Sequence, residues 1–445
     1  MDKERVKYLK INKEKKGEYI IYWMQETQRI EYNFSLEKAI EVANESKLPL
    51  YVIFNYIKNY PEASERHFKF MLQGLKDVRD TLERYGVQFV LLEGDLEKNM
   101  LKISKDARTL IWDKSYLRYQ RDIREKILKK LDLTIIEVEN NVVVPVEVVS
   151  FKEEYSAKTF RDKYKKVKER YLKESDYKIV IKFAYNELIN NKLKKMDQSQ
   201  IYLPQNKARL DGDFIGGEIE AKKVLEKFIE EKLEFYSLKG PDNDWSSKLS
   251  PYLHFGQISP LQIWSALKKI KELEIQKDKF LEELFIRREL AINFVYYNLK
   301  YDAWDGITYK WAYETMEKHL KDQRDYLYSL EELENYKTHD IYWNSAQKQM
   351  VDTGYMESYM RMYWCKKLLE WVGSPQEAYE IAINLNNKYL YDGRDPNSYA
   401  GVAWCFGKHD RAWKERKIFG KVRYMNSSGL EKKFDMKKYI KKIVK

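Results

Sequence analysis

EYIIYWM, residues 18–24, is the stretch on which the fold turns. Beyond its first residue it is wholly apolar or aromatic, and four short runs of the same kind follow: PLYVIF (49–54), QFVLLEG (88–94), TLIWD (109–113) and LTIIEVE (133–139). Continuous apolar runs of this length suit strands buried on both faces, as in a parallel sheet covered by helices. Segments of helical character lie between them, near 35–47, 64–85, 95–106 and 118–131. The alternation predicts a doubly wound, Rossmann-like α/β domain with a parallel sheet over residues 1–145. No G-x-G-x-x-G follows the first strand and no Walker A motif occurs, so the usual nucleotide signatures are absent.

Working outward, residues 146–216 read as a connector. NVVVPVEVVS (141–150) is extended in character, 152–174 is charged and helical, and 190–216 has loop composition. Residues 217–445 read as an all-α domain, with helices expected at 218–236, 260–273, 278–299, 311–320, 345–371 and 375–389. Nine of the eleven tryptophans lie between 245 and 413. A helical domain this rich in Trp suits an aromatic cofactor.

Composition narrows the classes. At 44% apolar the chain can build real cores, and with 17 Gly and 9 Pro in 445 residues it is not low-complexity. There is no run of 18 apolar residues, so no membrane span is expected. The charged opening MDKERVKYLKINKEKKGEY has no apolar signal core, so a cytoplasmic location is expected. Two cysteines, Cys365 and Cys405, exclude a disulfide framework and a four-cysteine metal site, and the five histidines show no ligand spacing; no metal is expected. The net charge is +12, and residues 408–445 hold 14 Lys/Arg against 4 Asp/Glu. A solvated tail would account for that. So would a folded basic face for phosphates, because Trp413, Phe419, Tyr424, Phe434 and Tyr439 alternate with the cations.

Four constellations carry chemistry. Ser246, Ser247, Lys248 and Ser250 precede a helical region, where hydroxyls, backbone N–H groups and one ammonium suit a phosphate; a Ser-rich N-cap reads equally well. Trp364 and Trp371 stand seven residues apart, two helical turns on one face. With Trp343 they would make an electron ladder, although an aromatic stripe at helical spacing is more often core. Arg361 with Asp392 and Asp395 of the DGRDPN turn would fix a charged dinucleotide, and Asn386 would hydrogen-bond a flavin ring; an ordinary Asx turn is the alternative. Trp404, Arg411, Trp413 and Arg423 combine aromatics and cations as extruded bases require. Unstacking costs a few kcal/mol and stacking on an aromatic returns about 1–3 kcal/mol per base.

Several segments in order resemble one family across nearly the whole chain: IIYWMQETQR (20–29), LSPYLHFGQIS (249–259), RREL-AINF (287–294), THDIYWNSAQ (338–347), MRMYWCKKLLEW (360–371), YDGRDPNSYAG (391–401) and FGKVRYM (419–425). The chain resembles the class II cyclobutane pyrimidine dimer (CPD) photolyases of the photolyase/cryptochrome superfamily. The resemblance implies an N-terminal α/β domain and a helical domain holding a folded FAD. Reduced FAD, as FADH⁻, would absorb blue light, pass an electron to a flipped-out dimer in UV-damaged DNA and take it back after the ring opens. It implies a lyase acting as a monomer, with an optional deazaflavin or folate antenna.

Residue by residue, the resemblance places Tyr236, Ser246, Ser247, Lys248, Leu249, Ser250 and Gln257 on the FAD phosphates and ribityl chain, with Asp395 beside them. Arg361 and Asp392 would pair next to the isoalloxazine, and Asn386 would face the ring. Trp364, Trp343 and Trp371 would be the photoreduction wire. Glu283 would bond the dimer carbonyls, with Glu289 the second choice; Tyr359, Met362 and Trp404 would line the dimer pocket. Arg287, Arg411, Trp413, Lys421 and Arg423 would contact DNA. Two departures stand out: some relatives carry an aromatic where Arg287 stands, and GKHD (407–410) is one residue short. The alternative within the superfamily is a cryptochrome-like flavin photoreceptor without repair activity; a colourless DNA-binding protein and a dark flavin oxidoreductase are rivals from other classes.

Overall fold

The computed structural model describes residues 2–175, 177–183, 193–204 and 214–443. All five expected strands form, as β2 (Tyr19–Trp23), β3 (Leu50–Tyr56), β4 (Gln88–Glu93), β5 (Ala107–Asp113) and β6 (Thr134–Val138). The helices between them span Phe34–Ser46, Glu65–Arg84, Leu96–Ser104 and Arg118–Lys130. Every residue of β2 is buried, and its side chains alternate between two cores: Ile20 and Tyr22 on one face, Tyr19, Ile21 and Trp23 on the other. That period of two inside a wholly apolar run is what a doubly covered sheet demands.

One expectation needs correcting. The sheet is mixed, not purely parallel: its order is β1-β6-β5-β2-β3-β4, and β1 (Val6–Lys10) runs antiparallel to β6 with Val6 opposite Val138. β1 sits in the charged opening that carried no apolar run. As an edge strand, only partly buried, it needs no such run, and its lysines discourage pairing with another chain.

The connector also differs. NVVVPVEVVS is not extended throughout, since Val146–Val149 makes a helical turn after Pro145. Val143, Val144, Val149, Ala157, Phe160 and Tyr164 are buried in one core with Tyr252 and Phe285, so the first half of this segment belongs to the helical part. Much of 190–216 lies outside the described residues. In the part that is described, Asp197 accepts the Leu91 N–H at 2.8 Å and Gln198 N–H donates to Leu91 O at 2.7 Å, which satisfies backbone at the opposite sheet edge, β4.

In the helical part, Pro375–Tyr389 matches its expected bounds. The expected 345–371 helix is two, Ile341–Thr353 and Ser358–Trp371. Gly354 ends the first at φ +67°, and a Cβ there would meet the Tyr391 ring at 2.6 Å, so both the conformation and the space call for glycine. The expected 278–299 helix begins at Glu274 and widens to a π-turn over Glu282–Arg287 before continuing as Arg288–Tyr297. The remaining expected helices run Glu218–Glu231, Pro260–Lys268 and Lys310–Lys318. Ser250–His254, Pro396–Cys405 and Met436–Ile443 add to them.

Buried polar groups join the two parts. Glu218 accepts the N–H groups of Ile30 and Glu31, Arg29 donates to Gly256 O at 2.9 Å, and Arg66 donates to Val351 O at 2.6 Å. Each would be costly to leave unpaired, so the joint has one geometry.

Candidate active site

A cavity of about 760 Å³ opens into the helical part, in the upper range of small-molecule sites. One wall is the π-turn. The extra residue per turn rotates Glu283, Leu284 and Arg287 onto the cavity, a device common at functional positions. Glu289, the second choice for a dimer contact, is not there. Its carboxylate accepts Val143 N–H at 2.6 Å, and burial pushes its acid up to about 8 despite that bond and nearby Arg288 and Arg5. It is a structural tie between helix and connector.

Ser246 to Ser250 form a second wall with Tyr236. Both sequence readings hold in part. The Ser246 hydroxyl donates to Glu357 at 2.7 Å and meets Tyr355 OH at 2.8 Å, so it braces the wall. Ser247, Ser250 and Lys248 remain for an anion, and the Lys248 backbone turns at φ +55° while its ammonium meets Asp244 at 2.9 Å. Lys239, which the sequence did not single out, lies 4.1 Å over the Tyr236 ring and also lines the cavity. Burial lowers its pKa. Gln257 is not in this site. Its Oε1 accepts Gly217 N–H at 2.7 Å and its Nε2 donates to Phe70 O, which spends the amide on joining the two parts.

Deeper in, Arg361 pairs with Asp392 at 3.0 Å and donates from Nε to Met356 O at 2.8 Å. Burial works against the Arg361 charge, but Asp392 outweighs it and the guanidinium stays firmly protonated. Asn386 donates to Asn387 Oδ1 at 3.1 Å, which leaves its own carbonyl oxygen without a partner among the described residues, on the cavity wall. Asp395 is off the wall. It caps the Pro396–Cys405 helix and meets His254 Nδ1 at 3.2 Å.

The tryptophans form one stack. Trp364 lines the cavity; Trp343 lies parallel to it at 6.3 Å between centroids and 11° between planes; Trp371 meets Trp343 edge-on at 5.8 Å. The link from 364 to 371 thus runs through a ring on the neighbouring helix, fixed by Trp343 Nε1 donating to Trp364 O at 3.0 Å. All three are buried, so the stack is part of the core. Beyond Trp371 the rings of Tyr328 and His339 follow at 5.7 and 5.1 Å.

At the mouth, Trp404 has Lys366 at 5.4 Å and Arg423 at 5.2 Å from its ring. Arg423 also lies 4.2 Å from Trp413, which has Arg411 at 5.0 Å. Asp410 fixes this group by accepting from Arg423 Nε at 3.1 Å and Trp413 Nε1 at 3.2 Å. Met362 lines the cavity, whereas Tyr359 packs against Phe434 at 5.0 Å with Lys433 above it. Lys421 is exposed beside Trp413, whose N–H donates to Lys421 O at 2.8 Å. The GKHD turn (407–410) closes through positive φ at Gly407 and His409.

Residues 20–179 match the family model described as DNA photolyase. Along 433 residues the chain is 43% identical to the deoxyribodipyrimidine photo-lyase of Methanothermobacter thermautotrophicus, covering 96% of this chain and 95% of that one. The chain belongs to the DNA photolyase family. Deoxyribodipyrimidine photo-lyases of Arabidopsis thaliana and Potorous tridactylus are 38% and 37% identical, each over 95% of this chain and over 88% and 81% of their own. Among solved structures, the bacterial class III photolyase from Agrobacterium tumefaciens superposes with TM-score 0.70 at 18% identity, over 98% of this chain and 88% of that one. The archaeal photolyase from Sulfolobus tokodaii, described with two FAD molecules and a novel light-harvesting cofactor, gives TM-score 0.71 at 17% identity, over 96% and 90%. Both carry the fold.

This photolyase-family chain has a second pocket, between its two parts. Trp23 at the end of β2 with Gln25 and Glu26 beyond it, and Asn55 near the end of β3 with Ile57 beyond it, line the pocket with Tyr60, Tyr119, His254 and Arg394. It lies outside the carboxyl ends of the strands near the point where the sheet order reverses, the position where open α/β sheets bind ligands. His67 forms part of its wall and is kept neutral by burial. Among the described residues no cluster of His, Cys, Asp or Glu could hold a metal, and no helix is long and apolar enough to cross a membrane.

Proposed function

We propose that this chain is a light-driven lyase that splits cyclobutane pyrimidine dimers in DNA, with FAD in the 760 Å³ cavity. The observation that carries the reading is the cavity's two ends: the stacked Trp364–Trp343–Trp371 series leads inward from it, and Trp404 with Arg423 frames its mouth. The wall residues fit the group. Ser247, Lys248 and Ser250 suit its phosphates, the Arg361–Asp392 pair offers a fixed dipole beside a ring system, and the open Asn386 carbonyl accepts a ring N–H. Bound in its reduced form, FAD would supply one electron under blue light and take it back.

The rest falls to the protein. Trp404 stacks on the extruded dimer, with Met362 beside it, and returns part of the unstacking cost. Glu283 bonds the dimer carbonyls, and Arg361 and Asp392 hold the local field constant. Arg287, Arg411, Trp413, Lys421 and Arg423 occupy the gap and phosphates around the lesion. Relatives named deoxyribodipyrimidine photo-lyase at 37–43% identity over most of the chain support this reading over a photoreceptor. The shared motifs, YDGRDPNSYAG and FGKVRYM among them, support a class II assignment. In the interdomain pocket we place an antenna chromophore, a deazaflavin or folate, in line with the pocket's aromatic walls.

The test is repair of a thymine-dimer oligonucleotide by dithionite-reduced protein under blue light and in darkness. Light-dependent loss of dimer is expected. Yellow protein with no loss would move the assignment to a photoreceptor, and colourless protein would end the flavin reading.

A further inference from the structure

Residues 150–156, before the Ala157–Val167 helix, form a loop pinned along its backbone. Tyr297 OH donates to Ser150 O at 2.6 Å, and Asn293 donates to Lys152 O at 3.0 Å while accepting Glu154 N–H at 2.8 Å. Tyr155 O receives Tyr309 OH at 2.5 Å and His409 Nδ1 at 3.0 Å. Both acids of the loop are neutralised, Glu153 by Lys408 and Glu154 by Lys163. Yet this fixed loop turns Phe151 outward. At 83% exposed it is the most exposed large hydrophobic among the described residues; Tyr155, stacked on Tyr309 at 4.3 Å, is 53% exposed. A slack loop could fold such rings away, but one held at the Ser150, Lys152 and Tyr155 carbonyls and at the Glu154 N–H is fixed on both sides of Phe151. Aromatics presented on a rigid frame are prepared for a partner, because little ordering is left to lose on binding.

The neighbours say which partner. Lys408 and His409, which hold the loop, run directly into Asp410, Arg411 and Trp413 at the cavity mouth. On the other flank Arg161 pairs with Glu282, which lies 3.7 Å from Arg287 on the cavity wall. The loop therefore lies along the rim between Arg411 and Arg423 on one side and Arg287 on the other, the cations proposed above for DNA. Lys152 and Lys158 are exposed and have no carboxylate partner among the described residues. Unpaired lysines beside exposed rings match a polyanion carrying flat bases better than an apolar protein surface.

We propose that the 150–156 loop is a second DNA-contact element. Lys152 and Lys158 meet phosphates of the duplex arm on one side of the lesion, and Phe151 and Tyr155 pack against the last exposed base or sugar before that arm. This rests on the dimer-repair reading. The test measures equilibrium binding against salt concentration, with long duplexes and with duplexes cut to one or two pairs beyond the lesion on either side. On long duplexes Lys152→Ala/Lys158→Ala should lower the slope of log affinity against log salt by about 1.8, two phosphates at about 0.9 each. Phe151→Ser should weaken binding by about tenfold, within the range of one lost stack. Both effects should vanish when the arm on one side is removed, and repair per bound dimer at saturating DNA should be unchanged. Lys152→Glu/Lys158→Glu, with thermal unfolding followed in parallel, separates a lost contact from a misfolded chain. Unchanged slope and affinity in all three variants would overturn the proposal. Absence of light-dependent repair in the unmodified protein would overturn the repair reading instead, and the slopes on undamaged duplex would still report on the loop.

Discussion

Lys366 is an ammonium with no route to water. Its Nζ donates to Cys405 O beneath Trp404, and burial, only partly offset by Cys405, pulls its pKa down to about 8. The unfolded chain, near 10.5, binds more protons between those values, so stability rises with pH across that interval and the penalty is fully present below it. The gain is of the order of 3 kcal/mol. Between pH 7 and pH 10, denaturant melts should show a larger rise in the unmodified protein than in Lys366→Met; an equal change in both would mean another group is responsible. For the ladder, Trp364→Phe or Trp343→Phe should abolish photoreduction of oxidised FAD, followed by absorbance, while chemically reduced enzyme still repairs. Sequence spacing named Trp364 and Trp371, but it could not say that Trp343 stands between them, because that depends on how two helices cross. Gln257 shows the reverse failure. Its motif was legible, but which way its amide turns depends on a glycine 40 residues away.

Elements were legible where burial is uniform. The five expected strands are built round apolar runs because both faces are covered, with polar residues mostly towards their ends, and those ends shift by at most two residues. β1 escaped because an edge strand tolerates lysine, and the long 345–371 helix was overrun because one glycine breaks an otherwise helical pattern. The π-turn leaves no mark in periodicity at all, yet it is what puts Glu283 on the cavity and leaves Glu289 in the core. Glu289→Ala would strand the Val143 N–H in an apolar core, a loss of about 2–3 kcal/mol. A lower melting temperature with an unchanged flavin spectrum is expected; a shifted spectrum would place Glu289 in the site after all.

Over the whole molecule, the charge asymmetry was plain in the sequence, but its shape was not. Residues 408–443 form part of a folded rim, in which Asp410 aims Arg423 and Trp413 together. Arg423→Ala should weaken binding to all duplexes and lower the salt slope by about 0.9. An unchanged slope would take Arg423 off the phosphates. The walls missed entirely, Lys239 and Glu357 among them, belong to no pattern and become neighbours only when distant helices converge.

The two indoles on the cavity differ in electrical character. Trp364 donates to Gln347, a neutral amide, at 2.8 Å. Trp404 carries Lys366 at 5.4 Å, worth about 3 kcal/mol against a positive hole on the ring at an effective dielectric near 20, and Arg423 at 5.2 Å, whose charge Asp410 offsets in part. With a flavin in the cavity, as proposed, a vacancy created there would be drawn inward through Trp364 and opposed at Trp404. On the repair reading, the side that meets DNA would insulate and the side that meets the core would conduct, so that the molecule would act as a rectifier keeping oxidising equivalents away from the strand it holds.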